Sequence, residues 1–223
     1  MLSLLLGALL SLPLQAQPLL LAAASDLTHC IDELAAAFAK QAPGAQVKVS
    51  LGSSGHFYAQ IRNGAPFDVL LSADMDYPRQ LAKLGVAEAA TLKPYAIGRI
   101  ALWSLDPRLD PATNGMAVLR DPRVAKVAIA NPAVAPYGRA AKAALERDGL
   151  WQAVQPKLVI GENIAQTAQF VQSGNAQLGI VSVAMLHAPK AGGRYFVIPM
   201  TGLAPIEQGA IVTKAGADHP HAA

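Results

Sequence analysis

Two hydrophobic rhythms alternate along this chain. Pro18 to Ala24 is a continuous apolar run of strand length that stops at Ser25-Asp26. From Thr28 to Lys40 the apolar residues Ile31, Leu34, Ala35 and Phe38 then recur at helical spacing. The unit repeats. Pro43-Gly44 turns the chain into a strand over 47–51, and Gly52-Ser53-Ser54-Gly55 opens a short helix with Phe57 and Ile61 on one face. A third strand is predicted over 67–72, with Asp74 as N-cap of a helix that Gly85 closes. Three consecutive strand-turn-helix units imply an α/β protein, with a mostly parallel sheet whose two faces are covered by helices.

A further strand is expected over 95–104, and Pro107, Pro111, Asn114-Gly115 and Pro122 make the next stretch loop-rich. A second series follows: a strand over 124–130, a loop to Tyr137, a helix over 138–147 and a strand over 157–160. Gly161-Glu162-Asn163 then leads into a helix over 164–173, before a strand over 177–183. Strands at 195–199 and 208–212 complete two α/β lobes. Asp218-His219-Pro220 looks like the start of another helix where the sequence stops, which suggests a C-terminal truncation.

The chain has 223 residues, 52% apolar and 15% charged, with Gly and Pro together 18 + 16 = 34, which excludes a disordered tail, a coiled coil and a collagen-like chain. Net charge is +3 and no basic run exceeds two residues, so no nucleic-acid partner is expected. Cys30 is the one cysteine, so no internal disulfide, zinc finger or CxxC redox pair can form. Leu2 to Leu12 has the length of a signal-peptide apolar core, followed by Pro13 and a small residue at Ala16, so 1–16 is taken as a cleaved export signal. Its positively charged leading region is missing, which a start placed too late would explain. Nothing later has the apolar run of a transmembrane helix. A soluble, exported, periplasmic protein is expected.

In parallel α/β folds ligands sit at the carboxyl ends of strands, against helix N-termini. Ser25 follows the first strand and Ser53 and Ser54 the second. Gly52 and Gly55 would leave backbone N–H groups free to face an anion. From spacing alone these serines serve equally as helix caps or as anion donors. Ala135-Pro136-Tyr137-Gly138 and Asn163-Ile164 offer helix starts in the second lobe. Enzyme signatures are absent: there is no GxSxG elbow, HExxH or P-loop, and His29 beside Cys30 cannot form a dyad. His29, His56, His187, His219 and His221 are scattered, which argues against a metal site. Asp68 and Asp74 are assigned structural roles, and no catalytic residue is assigned.

The blocks Ala22-Ala-Ala-Ser-Asp-Leu27, Gly52-Ser-Ser-Gly55, Asn63-Gly-Ala-Pro-Phe-Asp-Val-Leu-Leu-Ser-Ala-Asp74, Asn131-Pro-Ala-Val-Ala-Pro-Tyr-Gly138 and Leu178-Gly-Ile-Val181 occur in an order that resembles the periplasmic molybdate-binding family (ModA) of ABC importers. The NGAPFDVLLSAD block is the most specific. The resemblance implies a type II periplasmic binding protein: two α/β lobes, two hinge crossings, and one oxyanion, molybdate or tungstate, enclosed between them. One lobe would comprise 19–97 with 198–223, its C-terminal part truncated, and the other 98–197. It further implies a monomer that needs no cofactor and delivers its ligand to a membrane permease.

Carried over residue by residue, the family's ligand positions fall on Ser25, Asp26, Ser54, Tyr137 and Ile164, with Ser53, Asn163 and Ser182 as weaker candidates. Ser182 stands where one branch of the family has an anion-binding tyrosine, so Tyr137 would supply the phenol instead. Asp26 stands where some relatives have an amide. Its side chain is expected to cap the helix near Thr28, leaving its backbone N–H for the ligand and a ring made of donors alone. A receptor for sulfate or another small oxyanion, and a cleft enzyme of the same architecture, remain the alternatives.

Overall fold

The structure, a computed structural model, describes residues 17–188 and 191–223. The expected leader over 1–16 lies outside the described residues. In chain order the elements are β1 (Leu19–Ala24), α1 (Ile31–Gln41), β2 (Val47–Gly52), α2 (Ser54–Arg62), β3 (Val69–Ser72), α3 (Asp76–Lys83), β4 (Lys93–Gly98) and β5 (Ile100–Ser104). Next come α4 (Pro111–Asn114), β6 (Val127–Ala130), α5 (Pro136–Arg147), α6 (Trp151–Val154), β7 (Leu158–Gly161), α7 (Ile164–Gln172), β8 (Leu178–Ser182), α8 (Val183–Leu186), β9 (Arg194–Val197) and β10 (Ile206–Val212).

The strands form two five-stranded sheets, ordered β2-β1-β3-β10-β4 and β7-β6-β8-β5-β9. Both are mixed rather than mostly parallel. β2, β1 and β3 run parallel, as do β7, β6 and β8, because helices connect them. The fourth strand of each sheet is antiparallel to its neighbours: β10 between β3 and β4, and β5 between β8 and β9. Neither arrives through a helical crossover. β5 follows β4 across Arg99 alone, and β10 returns from the other sheet. The stretch 95–104, expected as one strand, is therefore two strands in different sheets.

Other boundaries shift for local reasons. Ser25–Leu27 forms a 3-10 turn and the Thr28 hydroxyl donates to the Ser25 carbonyl at 2.6 Å, so α1 begins at Ile31 rather than Thr28. The expected loop over 107–122 carries α4, where Asp110 accepts from the Thr113 N–H, and a 3-10 stretch Gly115–Arg120. Residues 213–223 form turns, and no helix starts at Asp218. β5, β6 and β8 are buried along their whole length, which explains why they are apolar but for the terminal Ser104 and Ser182. The largest apolar cluster is built on them and reaches Ala24 and Ile206 of the first sheet and Ala73 just after β3.

Candidate functional site

The carboxyl ends of β1, β2 and β3 meet the starts of α5 and α7 around one small cavity. Ala24, Ser25 and Asp26 line it from behind β1, Gly52, Ser53 and Ser54 from behind β2, and Ala73 from behind β3. Ala135, Pro136, Tyr137 and Ile164 line it from the second sheet's side. Six of the eight candidate residues thus share one wall-to-wall space. Asn163 and Ser182 do not: the Asn163 carboxamide oxygen accepts the Gln166 N–H at 3.0 Å, and the Ser182 hydroxyl accepts the Ala184 N–H at 3.2 Å, each capping a helix.

The lining contains no Lys, Arg or His, so the cavity's donors are hydroxyls and amides. Neither α2 nor α5 has a side-chain cap, and the N–H groups of a helix's first turn have no partner within the helix. Ser25 Oγ accepts the Ala165 N–H at 3.4 Å, and Ser54 Oγ accepts the Ala73 N–H at 2.9 Å, which leaves each hydroxyl proton available. Ser53 Oγ is buried and has no partner, so it does not cap its helix. One expectation changes sign: the Gly55 N–H is not free for a ligand but donates to the Val134 carbonyl at 2.9 Å, across the two lobes.

Asp26 is 3% exposed. Its Oδ2 accepts from the Tyr137 hydroxyl at 3.0 Å and from Gln208 Nε2 at 2.6 Å, and Gln208 Nε2 also reaches the Tyr137 oxygen at 2.7 Å. The side chain therefore caps no helix, contrary to the expectation from sequence. A carboxylate is an acceptor, so the lining is not made of donors alone. Asp26 Oδ1 is buried without a partner. Burial pushes the Asp26 carboxyl up to about 6, against the pull of the Gln208 and Tyr137 hydrogen bonds. Burial, followed by the Asp26 charge, raises the Tyr137 phenol well above its ordinary value, so it stays protonated. A Cβ on Gly98 would stand 2.5 Å from the Tyr137 oxygen, so the glycine beside the Arg99 crossing lets this triad form.

Sequence reasoning missed Gln208, although a buried polar residue among the apolar positions of β10 is the signal that could have found it. It also missed Arg139. From the first turn of α5 this side chain crosses to pair with Asp74, donates to the Tyr77 hydroxyl at 3.1 Å, and lies 5.2 Å over the Tyr77 ring. Asp74 also accepts the Tyr77 N–H at 3.1 Å, so it serves the start of α3 as expected while holding the second lobe. Burial raises its carboxyl pKa, partly offset by the Tyr77 N–H and by Arg139.

Two α/β lobes meeting over a hydroxyl-rich cavity define a solute-binding protein, and residues 19–223 match the family described as bacterial extracellular solute-binding protein. The molybdate-binding protein ModA of Azotobacter vinelandii is 40% identical, covering 97% of this chain and 86% of the relative. That of Rhodobacter capsulatus is 38% identical over 94% of this chain and 81% of the relative. The solved A. vinelandii periplasmic molybdate-binding protein superposes with a TM-score of 0.83 at 36% identity, covering 92% of this chain and 89% of the other. The chain belongs to the ModA family. Among the described residues no helix is long and apolar enough to cross a membrane.

Proposed function

We propose that this protein captures molybdate, and tungstate as well, between its lobes and delivers it to the membrane permease of an ABC importer. The observation that carries the reading is the lining of the cavity between the lobes, three serines and two uncapped helix starts without a cation. The names of the relatives at 40% and 38% identity supply the anion. The lobes, 19–97 with 198–223 and 98–197, close about the Arg99 crossing and the return into β10. Ser25, Ser53, Ser54 and the N–H groups near Asp26, Tyr137 and Ile164 hold the anion's oxygens. The protein acts as a periplasmic monomer freed of residues 1–16. The lining's ionisable side chains are Asp26 and Tyr137, with no Ser–His or Cys–His nucleophile–base pair among them, which supports binding rather than catalysis.

Calorimetric titration with molybdate, tungstate, sulfate and phosphate tests this. Molybdate and tungstate are expected to bind far more tightly than sulfate, whose shorter bonds draw its oxygens away from donors fixed on two lobes. Sulfate binding as tightly as molybdate would make the protein a sulfate receptor. No response to any of the four anions would remove the oxyanion reading.

A further inference from the structure

Asp26 is an odd residue to find in an anion cavity. It carries the only acidic side chain in the lining, it is buried, and its two oxygens are treated differently. Oδ2 is occupied by Tyr137 and Gln208 on the hinge side, whereas Oδ1 has no partner. An ionised Oδ1 beside a dianion would repel it in a space from which water is excluded. A protonated Oδ1 would instead donate a hydrogen bond to one of the anion's oxygens.

Among the described residues no cation pairs with Asp26. The titratable groups facing it are Tyr137 of α5, Tyr95 of β4, whose hydroxyl donates to the Ser72 carbonyl at 3.2 Å, and Cys30 of its own segment. None of the three is cationic. Arg139 of α5 is committed to Asp74, and Glu207 of β10 to Arg79. Of the other elements packed on the Ser25–Leu27 turn, α7 and α8 carry no titratable residue, and β2 carries only the exposed Lys48.

We propose that an unprotonated oxyanion enters this cleft together with one proton, held between Asp26 Oδ1 and an anion oxygen. The proposal rests on the oxyanion reading above and adds its proton balance. One proton moves from solvent to the Asp26 carboxylate when a dianion such as molybdate binds at neutral pH, and returns to solvent on release. An anion that already bears a proton, such as hydrogen phosphate, would present it to the ionised Asp26 and take up none. The carboxyl lifted by burial to about 6 in the empty site is already partway to the protonated form, and the dianion's field pushes it further the same way.

The experiment is calorimetric titration with molybdate at about pH 8 in two buffers of different ionisation enthalpy, repeated with Asp26→Asn. The parent is expected to take up close to one proton per anion, and its affinity to fall about tenfold per pH unit above ~6. Asp26→Asn offers an amide donor in the carboxyl's shape, so it should bind without proton uptake and with affinity flat in pH. Parent protein that binds molybdate at about pH 8 with no proton uptake overturns the proposal and leaves the oxyanion reading standing. Equal uptake by Asp26→Asn also overturns it, because the proton would then reside elsewhere. Failure of the parent to bind molybdate at any pH removes the functional reading instead.

Discussion

The Gly55 N–H donates to the Val134 carbonyl at 2.9 Å, a backbone hydrogen bond that ties the first turn of α2 to the loop before α5 across the cleft. A Cβ at Gly55 would stand 2.6 Å from that carbonyl oxygen and 2.9 Å from Val134 Cα. A flexible side chain could step aside, but Val134 backbone can retreat only if the lobes part. The absence of a side chain at Gly55 is therefore a condition of closure.

Gly55→Ala should accordingly disturb closure with or without ligand. The empty protein already makes this contact, so the unliganded variant should melt somewhat below the parent. Its affinity for molybdate should drop about tenfold or more, because donors from the two lobes can no longer converge. Calorimetry paired with a melting curve checks this. Affinity equal to the parent's would mean that the two lobes can close without this contact.

The two serines behind β2 should behave differently. Ser54 Oγ accepts the Ala73 N–H, so Ser54→Ala leaves a buried donor unmet and should lower stability by about 1–3 kcal/mol as well as weaken anion binding. Ser53 Oγ has no partner, so Ser53→Ala removes nothing the empty protein uses. It should melt like the parent, or slightly higher, yet lose about tenfold in affinity, since a hydrogen bond to a charged acceptor contributes about 1.5–3 kcal/mol. Unchanged affinity in Ser53→Ala would place its hydroxyl away from the anion.

How these roles divide was only partly legible in the sequence. The two rhythms of apolar residues located the parallel strands and their helices, because local periodicity reports which face is buried. The break between β4 and β5 was marked only by Gly98-Arg99 within an otherwise apolar run, a signal equally compatible with one continuous strand, and what separates the strands is which sheet each one joins. Ser25, Ser53 and Ser54 were visible as hydroxyls after strands. Gln208 was not, since its partners Asp26 and Tyr137 lie 182 and 71 positions away, and only the return of β10 into the first sheet brings them together.

Arg139 should act as a latch of modest strength. Its side chain is 40% exposed, which limits the pair with Asp74 to about 1 kcal/mol, so Arg139→Gln should weaken molybdate binding by no more than about fivefold. The loss should appear mainly as faster release, and high salt should shrink the difference between parent and variant. Stopped-flow release rates at two salt concentrations measure both effects. A variant that releases the anion at the parent's rate would show that the pair forms only after the lobes are already held.

The last expectation concerns the empty protein and the pH dependence of its stability. Asp26 titrates near 6 when folded because burial disfavours its charge, and near 3.8 in an unfolded chain. Between those values the folded protein keeps a proton that the unfolded chain has lost, so this group's contribution falls as pH rises. It is most favourable below about 4, declines from about 4 to 6, and is constant above that. A shift of about two units corresponds to about 3 kcal/mol. Asp106 and Asp121, held down near 2 mainly by their side-chain hydrogen bonds to Arg108 and Arg123, act in the opposite direction and at lower pH. The informative quantity is therefore the stability of the parent minus that of Asp26→Asn, measured by denaturant unfolding without ligand at a series of pH values. That difference should fall by about 2–3 kcal/mol from about pH 4 to about pH 6.5 and then level off. A difference that stays flat across this range would show that the Asp26 carboxylate is not isolated from solvent when the site is empty.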